Sequence, residues 1–97
     1  MRFTNKVVMI TGGAQGIGAA AARAFIAEGA AAAIADIDLP RAEALVAALA
    51  AEGGRAIAVH CDVADPASTA EAAVRIAAEL DGIDLLINGA ALHNFTY

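Results

Sequence analysis

Residues Thr11 to Gly18 read T-G-G-A-Q-G-I-G, directly after the apolar run Lys6 to Ile10 and directly before a stretch of helical character. Glycines at this spacing between a strand and a helix leave few folds open. Gly12 permits a sharp exit from the strand, Gly16 lets the backbone approach a ligand where a Cβ would collide, and Gly18 allows helix and strand to pack closely. The N–H groups at the helix start, with a dipole equivalent to roughly half a positive charge, attract a phosphate anion. A pyrophosphate is the expected guest. The competing loop G-x-x-x-x-G-K-[ST], tried on Gly13 to Gly18, fails because Ala19 and Ala20 stand where Lys and Ser or Thr are required.

Lys6 to Ile10, Ala30 to Ala35, Ala56 to Cys61 and Ile83 to Asn88 are runs of strand length, and three of the four show little or none of the alternation of a half-exposed strand. They read as buried strands of a parallel sheet. Three helices lie between them. The first begins near Gly16, places Ile17, Ala21, Ala24 and Phe25 on one face and stops at Gly29. The second starts around Asp38 and Pro40, carries Ala42, Leu45, Val46 and Leu49 inward and ends at Gly53-Gly54. The third takes Asp65 as N-cap and Pro66 at its first position, turns Ala73, Ile76, Ala77 and Leu80 inward and stops at Gly82. Right-handed crossovers make this β-α-β-α-β-α-β succession a parallel sheet. If the third crossover returns past the first strand, the order is 3-2-1-4, the first half of a doubly wound α/β (Rossmann) fold.

Asp36 closes the second strand and follows Gly18 at close to the spacing of about 20 residues found in dinucleotide sites. Its carboxylate would accept hydrogen bonds from the adenosine ribose hydroxyls and repel a 2′-phosphate, which favours NAD over NADP. Asp38 is the better candidate for the helix cap. Arg41, the only nearby cation, lies within the next helix.

The chain has 97 residues, enough for one small domain but too few for a dinucleotide-binding lobe with a complete catalytic apparatus. The 60% hydrophobic content is largely alanine, and no stretch of about 18 strongly apolar residues escapes a charge, so a membrane span is not expected. A formal charge of −5 and a pI near 4.7 argue against nucleic acid and anionic membranes as partners. With Cys61 as the one cysteine and no signal-peptide pattern, the cytoplasm is the expected compartment, and the acceptor pattern Asn94-Phe95-Thr96 carries no meaning. His60, Cys61 and Asp62 do not form a metal site, because neighbours on a strand point to opposite faces. Cys61 reads as core, His60 as a half-exposed strand end and His93 as a solvated loop residue.

With these features the chain resembles the short-chain dehydrogenase/reductase family, whose T-G-x-x-x-G-x-G spacing is met by Thr11, Gly12, Gly16 and Gly18. Gln15 stands where the epimerase-like branch needs glycine. The resemblance further implies that Asp62 of Cys61-Asp62-Val63 bonds the adenine amino group with Val63 beside the ring. Asn88-Gly89-Ala90-Ala91 is similar to the family's N-N-A-G motif, with Asn88 near the ribose and Ala90 under the cofactor. Gly89 and Ala91 depart from that motif. Gln15 and Ile17 in the turn and Ile37 beside Asp36 complete the expected NAD contacts.

Family members move hydride between a nicotinamide cofactor and an alcohol or carbonyl substrate, using an Asn-Ser-Tyr-Lys set whose Tyr and Lys form Y-x-x-x-K. Tyr97 has no Lys four positions later, so no catalytic residue is expected within the 97 residues. The resemblance thus implies the amino-terminal, NAD-binding part of a longer domain, inactive alone, in a parent that assembles as a homo-oligomer. Two alternatives stay open on the residues: a non-catalytic NAD-binding redox sensor, and another doubly wound nucleotide binder such as a methyltransferase.

Overall fold

The computed structural model describes residues 2–89. Its elements run β1 (Val7–Thr11), α1 (Gly16–Ala27), β2 (Ala31–Asp36), α2 (Leu39–Ala51), β3 (Ala56–His60), α3 (Pro66–Leu80) and β4 (Leu85–Asn88). The strands form one parallel sheet in the order β3-β2-β1-β4, so the third crossover does return past β1. Asp84 fixes where β4 joins: its N–H donates to the Val7 carbonyl at 2.9 Å and its Oδ2 accepts the Val7 N–H at 2.8 Å. The register sets Thr11 beside Ala35 and Asn88, and Asp36 beside His60. All four carboxyl ends therefore meet at one edge, and the reversal of strand order at β1 opens the crevice in which sheets of this type bind ligands.

Alternation along the strands divides the core in two. Val7, Met9, Ala33, Ala35, Val59 and Cys61 face α3 through Ala72, Ile76 and Leu80, while Val8, Ile10, Ala32 and Ile34 face Ala22 of α1 and Ala42 and Leu49 of α2. The alanines of β2 leave room for helices on both sides. Only β1 and β2 are buried throughout; β3 and β4, which flank them, are partly exposed, and Leu86 stands open to solvent.

The inward face of α1 differs from the one read in the sequence. Ile17 and Ala24 are exposed, and Gly18 and Ala22 are buried in their place, with Ala21 and Phe25 packed beside them. Contact of Gly18 with the turn sets the rotation of the helix, and this brings its smallest residues against the sheet. Strand limits shift by one or two residues: β2 runs on to Asp36, and β4 starts at Leu85 because Asp84 is spent on Val7.

Helix ends follow the sequence with one exception. Asp38 accepts the Arg41 N–H at 3.1 Å and Asp65 accepts the Ala67 N–H at 3.0 Å, whereas α3 ends on Asp81 in the left-handed region (φ 67°) ahead of Gly82. Asp65→Ala is expected to cost about 1 kcal/mol, read as a lower urea midpoint at an unchanged m-value. On the surface, Arg23 pairs with Glu52 at 3.2 Å, and that hydrogen bond first, then the carboxylate charge, raises the guanidinium above its ordinary value. Both groups are exposed, so the pair adds little to stability. No helix among the described residues is long and apolar enough to cross a membrane.

Candidate functional site

The glycine turn leaves β1 at Gly12, whose φ of +65° is the left-handed conformation glycine adopts without penalty. Gly12 N–H donates to the Ala35 carbonyl at 2.7 Å, and Thr11 is buried beneath the turn. The Thr11 hydroxyl, with one proton to give, lies 3.2 Å from Asn88 Oδ1 and 3.4 Å from the Ile87 carbonyl. It ties the turn to the end of β4.

The turn glycines differ in what they touch. A Cβ on Gly18 would lie 2.5 Å from Gly13 Cα and 2.8 Å from the Gly12 carbonyl oxygen, so helix and turn meet backbone to backbone. On Gly16 a Cβ would meet nothing within 4 Å. No protein packing requires glycine there, and open space lies before it. Sequence reasoning missed Gly13, where a Cβ would sit 2.9 Å from the Ile10 carbonyl oxygen and 3.1 Å from Ile34 Cγ2. Only the path of the chain over β1 and β2 reveals that demand. Gly89, the departure in the fourth-strand motif, stands at a similar approach, its Cβ position 2.8 Å from the Thr11 carbonyl oxygen. In this arrangement a side chain at residue 89 would press on the turn.

Gln15 occupies the N-cap of α1 and makes no side-chain capping bond, whereas α2 and α3 are capped by aspartates. The first intrahelical bond is Ala19 N–H to the Gln15 carbonyl at 2.7 Å. The N–H groups of Gly16, Ile17 and Gly18 come before it and find no acceptor within the helix. They face the crevice side of the sheet edge with the positive end of the helix dipole.

Asp36 is 4% exposed at the end of β2. Oδ2 accepts the Ala14 N–H of the turn at 3.1 Å and Oδ1 accepts the Asp38 N–H at 2.9 Å. Arg41 is turned toward Asp38, at 3.9 Å, and makes no bond to Asp36. After β3, Asp62 Oδ1 accepts the Ala64 N–H at 3.0 Å and Asp62 N–H donates to Ser68 Oγ at 2.9 Å, and among the described residues no donor reaches Oδ2. Ile17, Ile37 and Val63 are 51%, 63% and 48% exposed, three of the five exposed large hydrophobics among the described residues. Each follows the carboxyl end of a different strand. They are exposed apolar side chains at the same sheet edge as the turn.

Cys61 is buried core and His60 is exposed, as the sequence suggests. Among the described residues no group of three or more His, Cys, Asp or Glu side chains could hold a metal ion. A cleft of about 540 Å³ at the opposite edge of the sheet, bordered by Lys6, Arg55 and Asp81, contains none of the expected site residues. Ala90, Ala91, His93, Asn94 and Tyr97 lie outside the described residues.

Comparison with known proteins gives this edge a context. Residues 6–97 match the family model described as short chain dehydrogenase. Meso-2,3-butanediol dehydrogenase of Serratia marcescens is 45% identical over 93 residues, covering 96% of this chain and 36% of that protein. Galactitol 2-dehydrogenase of Agrobacterium fabrum is 48% identical over 92 residues, covering 95% and 35%. The crystal structure of a hydroxysteroid dehydrogenase from Escherichia coli superposes with a TM-score of 0.86 at 31% identity, covering 90% of this chain and 37% of that one. The chain thus spans about a third of the length of the relatives it matches.

Proposed function

Because the chain belongs to the short-chain dehydrogenase family, we propose that it is the NAD-binding part of an oxidoreductase that transfers hydride between NAD and an alcohol or carbonyl substrate. One observation carries the reading: a single sheet edge holds a helix start without a side-chain cap, open space before Gly16, the buried Asp36 carboxylate and the exposed apolar side chains of Ile17, Ile37 and Val63. These features match the successive parts of a dinucleotide.

The residues present fit that cofactor. The N–H groups of Gly16, Ile17 and Gly18 are placed to donate to pyrophosphate oxygens, and nothing but hydrogen stands on the α-carbon of Gly16 to hold the anion off. Asp36 faces the ribose hydroxyls as an acceptor, and Asp62 Oδ2 accepts from the adenine amino group with Val63 against the ring. Asn88, on which the Thr11 hydroxyl rests, lies toward the second ribose. When bound, NAD supplies a hydride acceptor at its nicotinamide carbon. The chain's own part is to hold, orient and partly dehydrate the cofactor. Proton transfer to and from the substrate is assigned to residues beyond these 97, since no Y-x-x-x-K occurs among them and the relatives are about three times as long.

The names of the two relatives specify a diol and a polyol, which suggests a small hydroxylated substrate for the whole protein. Calorimetric titration with NADH and with S-adenosylmethionine tests the cofactor class. NADH is expected to bind and S-adenosylmethionine to bind at least about tenfold more weakly, a difference of ~1.4 kcal/mol. Preference for S-adenosylmethionine would assign the site to group transfer and remove the oxidoreductase reading.

A further inference from the structure

Asp36 holds the glycine turn itself, through Ala14, whose N–H donates to Oδ2 at 3.1 Å. From this we propose that Asp36 is a positioning residue for the pyrophosphate turn as well as the acceptor for the ribose, so that one carboxylate couples the two halves of the nucleotide site. The inference rests on the reading given under Proposed function and deepens it.

The geometry is specific. Asp36 is 4% exposed, and its two oxygens are taken by two different partners: Oδ2 by the Ala14 N–H at 3.1 Å and Oδ1 by the Asp38 N–H at 2.9 Å. Ala14 lies between Gly13, where an added Cβ would meet Ile10 and Ile34, and Gln15, the N-cap of α1. The Asp36 backbone is itself pinned, since its carbonyl accepts the Cys61 N–H at 3.0 Å. The carboxylate is therefore a fixed post on the end of β2, and the middle of the turn is tied to it. Gly12 N–H to the Ala35 carbonyl secures only the start of the turn, and Gln15 N–H to the Gly12 carbonyl, at 3.3 Å, closes it on itself.

An ionised carboxylate has about four acceptor positions on its two oxygens. Among the described residues two are occupied by backbone N–H groups, which leaves two, the number needed by the adjacent hydroxyls of a ribose. Each backbone bond takes one acceptor position of its oxygen and so restricts where a hydroxyl can approach. The diol is thereby aligned relative to the turn that receives the phosphates. Cutting the post should loosen both subsites, including the one Asp36 does not touch.

A pair of nucleotides separates this coupling from ribose recognition alone. ADP offers the diol and two phosphates; 2′,3′-dideoxy-ADP offers the phosphates without the diol. In Asp36→Ala, ADP affinity is expected to fall further than that of dideoxy-ADP, but dideoxy-ADP should still weaken by about tenfold. Amide hydrogen exchange without ligand gives a second, independent readout. The Ala14 amide is expected to exchange faster in the variant while the central β1 amides stay protected, which a general loss of stability would not produce. Should alanine prevent folding, Asp36→Asn keeps the side-chain volume but faces two N–H donors with one oxygen, and the same directions hold. Unchanged dideoxy-ADP affinity together with unchanged Ala14 exchange would overturn the coupling and leave the cofactor reading intact. Failure of the unsubstituted protein to bind either nucleotide would overturn the cofactor reading, and the ligand side of this proposal with it.

Discussion

Gly18→Ala is expected to lower stability by about 2 kcal/mol, which for a domain of this size corresponds to a melting temperature lower by roughly 8–16 °C. The added Cβ would lie 2.5 Å from Gly13 Cα, 2.8 Å from the Gly12 carbonyl oxygen and 3.0 Å from the Gly13 carbonyl carbon. All three are backbone atoms, so no rotamer change relieves the contact; either the turn or α1 must move. The gain of about 1 kcal/mol that alanine brings to a helix offsets only part of this. Because either movement shifts the start of α1, which carries the proposed pyrophosphate donors, relative to the turn, NADH affinity should fall by at least about tenfold as well.

Gly16→Ala should behave differently, although it lies two residues away in the same motif. Its Cβ would stand in open space, so stability is expected to stay level or rise slightly, while NADH binding weakens about tenfold because the methyl group occupies the phosphate's approach. Thermal melts and NADH titrations of the two variants check both statements. A Gly16→Ala protein that binds NADH as well as the unsubstituted one would remove the anion-cradle role of that glycine.

The unsubstituted protein is expected to bind NADH at least about tenfold more tightly than NADPH, or ~1.4 kcal/mol, and Asp36→Ala should bring the ratio toward one. A 2′-phosphate carries about −1.5 to −2 charges, and it would be set against a carboxylate that is itself 4% exposed and poorly screened by solvent. Like charges so placed cost several kcal/mol. Among the described residues Arg41 does not compensate, since it is directed toward Asp38 at 3.9 Å. If Asp36 also holds the turn, its loss weakens both cofactors through the pyrophosphate, and that common factor cancels in the ratio. What remains is the lost diol bond for NADH and the lost repulsion for NADPH, both of which narrow the gap. Equal affinities in the unsubstituted protein would show that Asp36 does not discriminate between the two.

Much of this molecule is legible in its residues because the relevant forces are local. Apolar runs of strand length, helical spacing of Ala42, Leu45 and Leu49, aspartates at the caps and glycines at the turns act over a few residues, and among the described residues the structure reproduces them as seven elements in the expected order. The glycine turn belongs to the same class. A sharp exit from the strand at Gly12 and a helix beginning near Gly16 follow from the order of residues alone, and the structure has both.

Other features arise only when distant segments meet. Helical periodicity turns Ile17 and Ala24 inward because it ranks hydrophobicity, whereas in the structure both are exposed and the close approach of Gly18 to Gly13 sets the rotation of α1. The sequence places Asp36 at a strand end facing a ligand; it does not show that the same carboxylate is tied to Ala14, 22 positions away in the chain. Nor does it show the Thr11 hydroxyl reaching across 77 positions to Asn88, or the lack of space for a side chain at Gly89. Propensity and spacing select the elements and the turn. The position of that turn relative to β2 and β4 is decided by hydrogen bonds and close contacts between residues far apart in the chain, which exist only once the sheet has assembled.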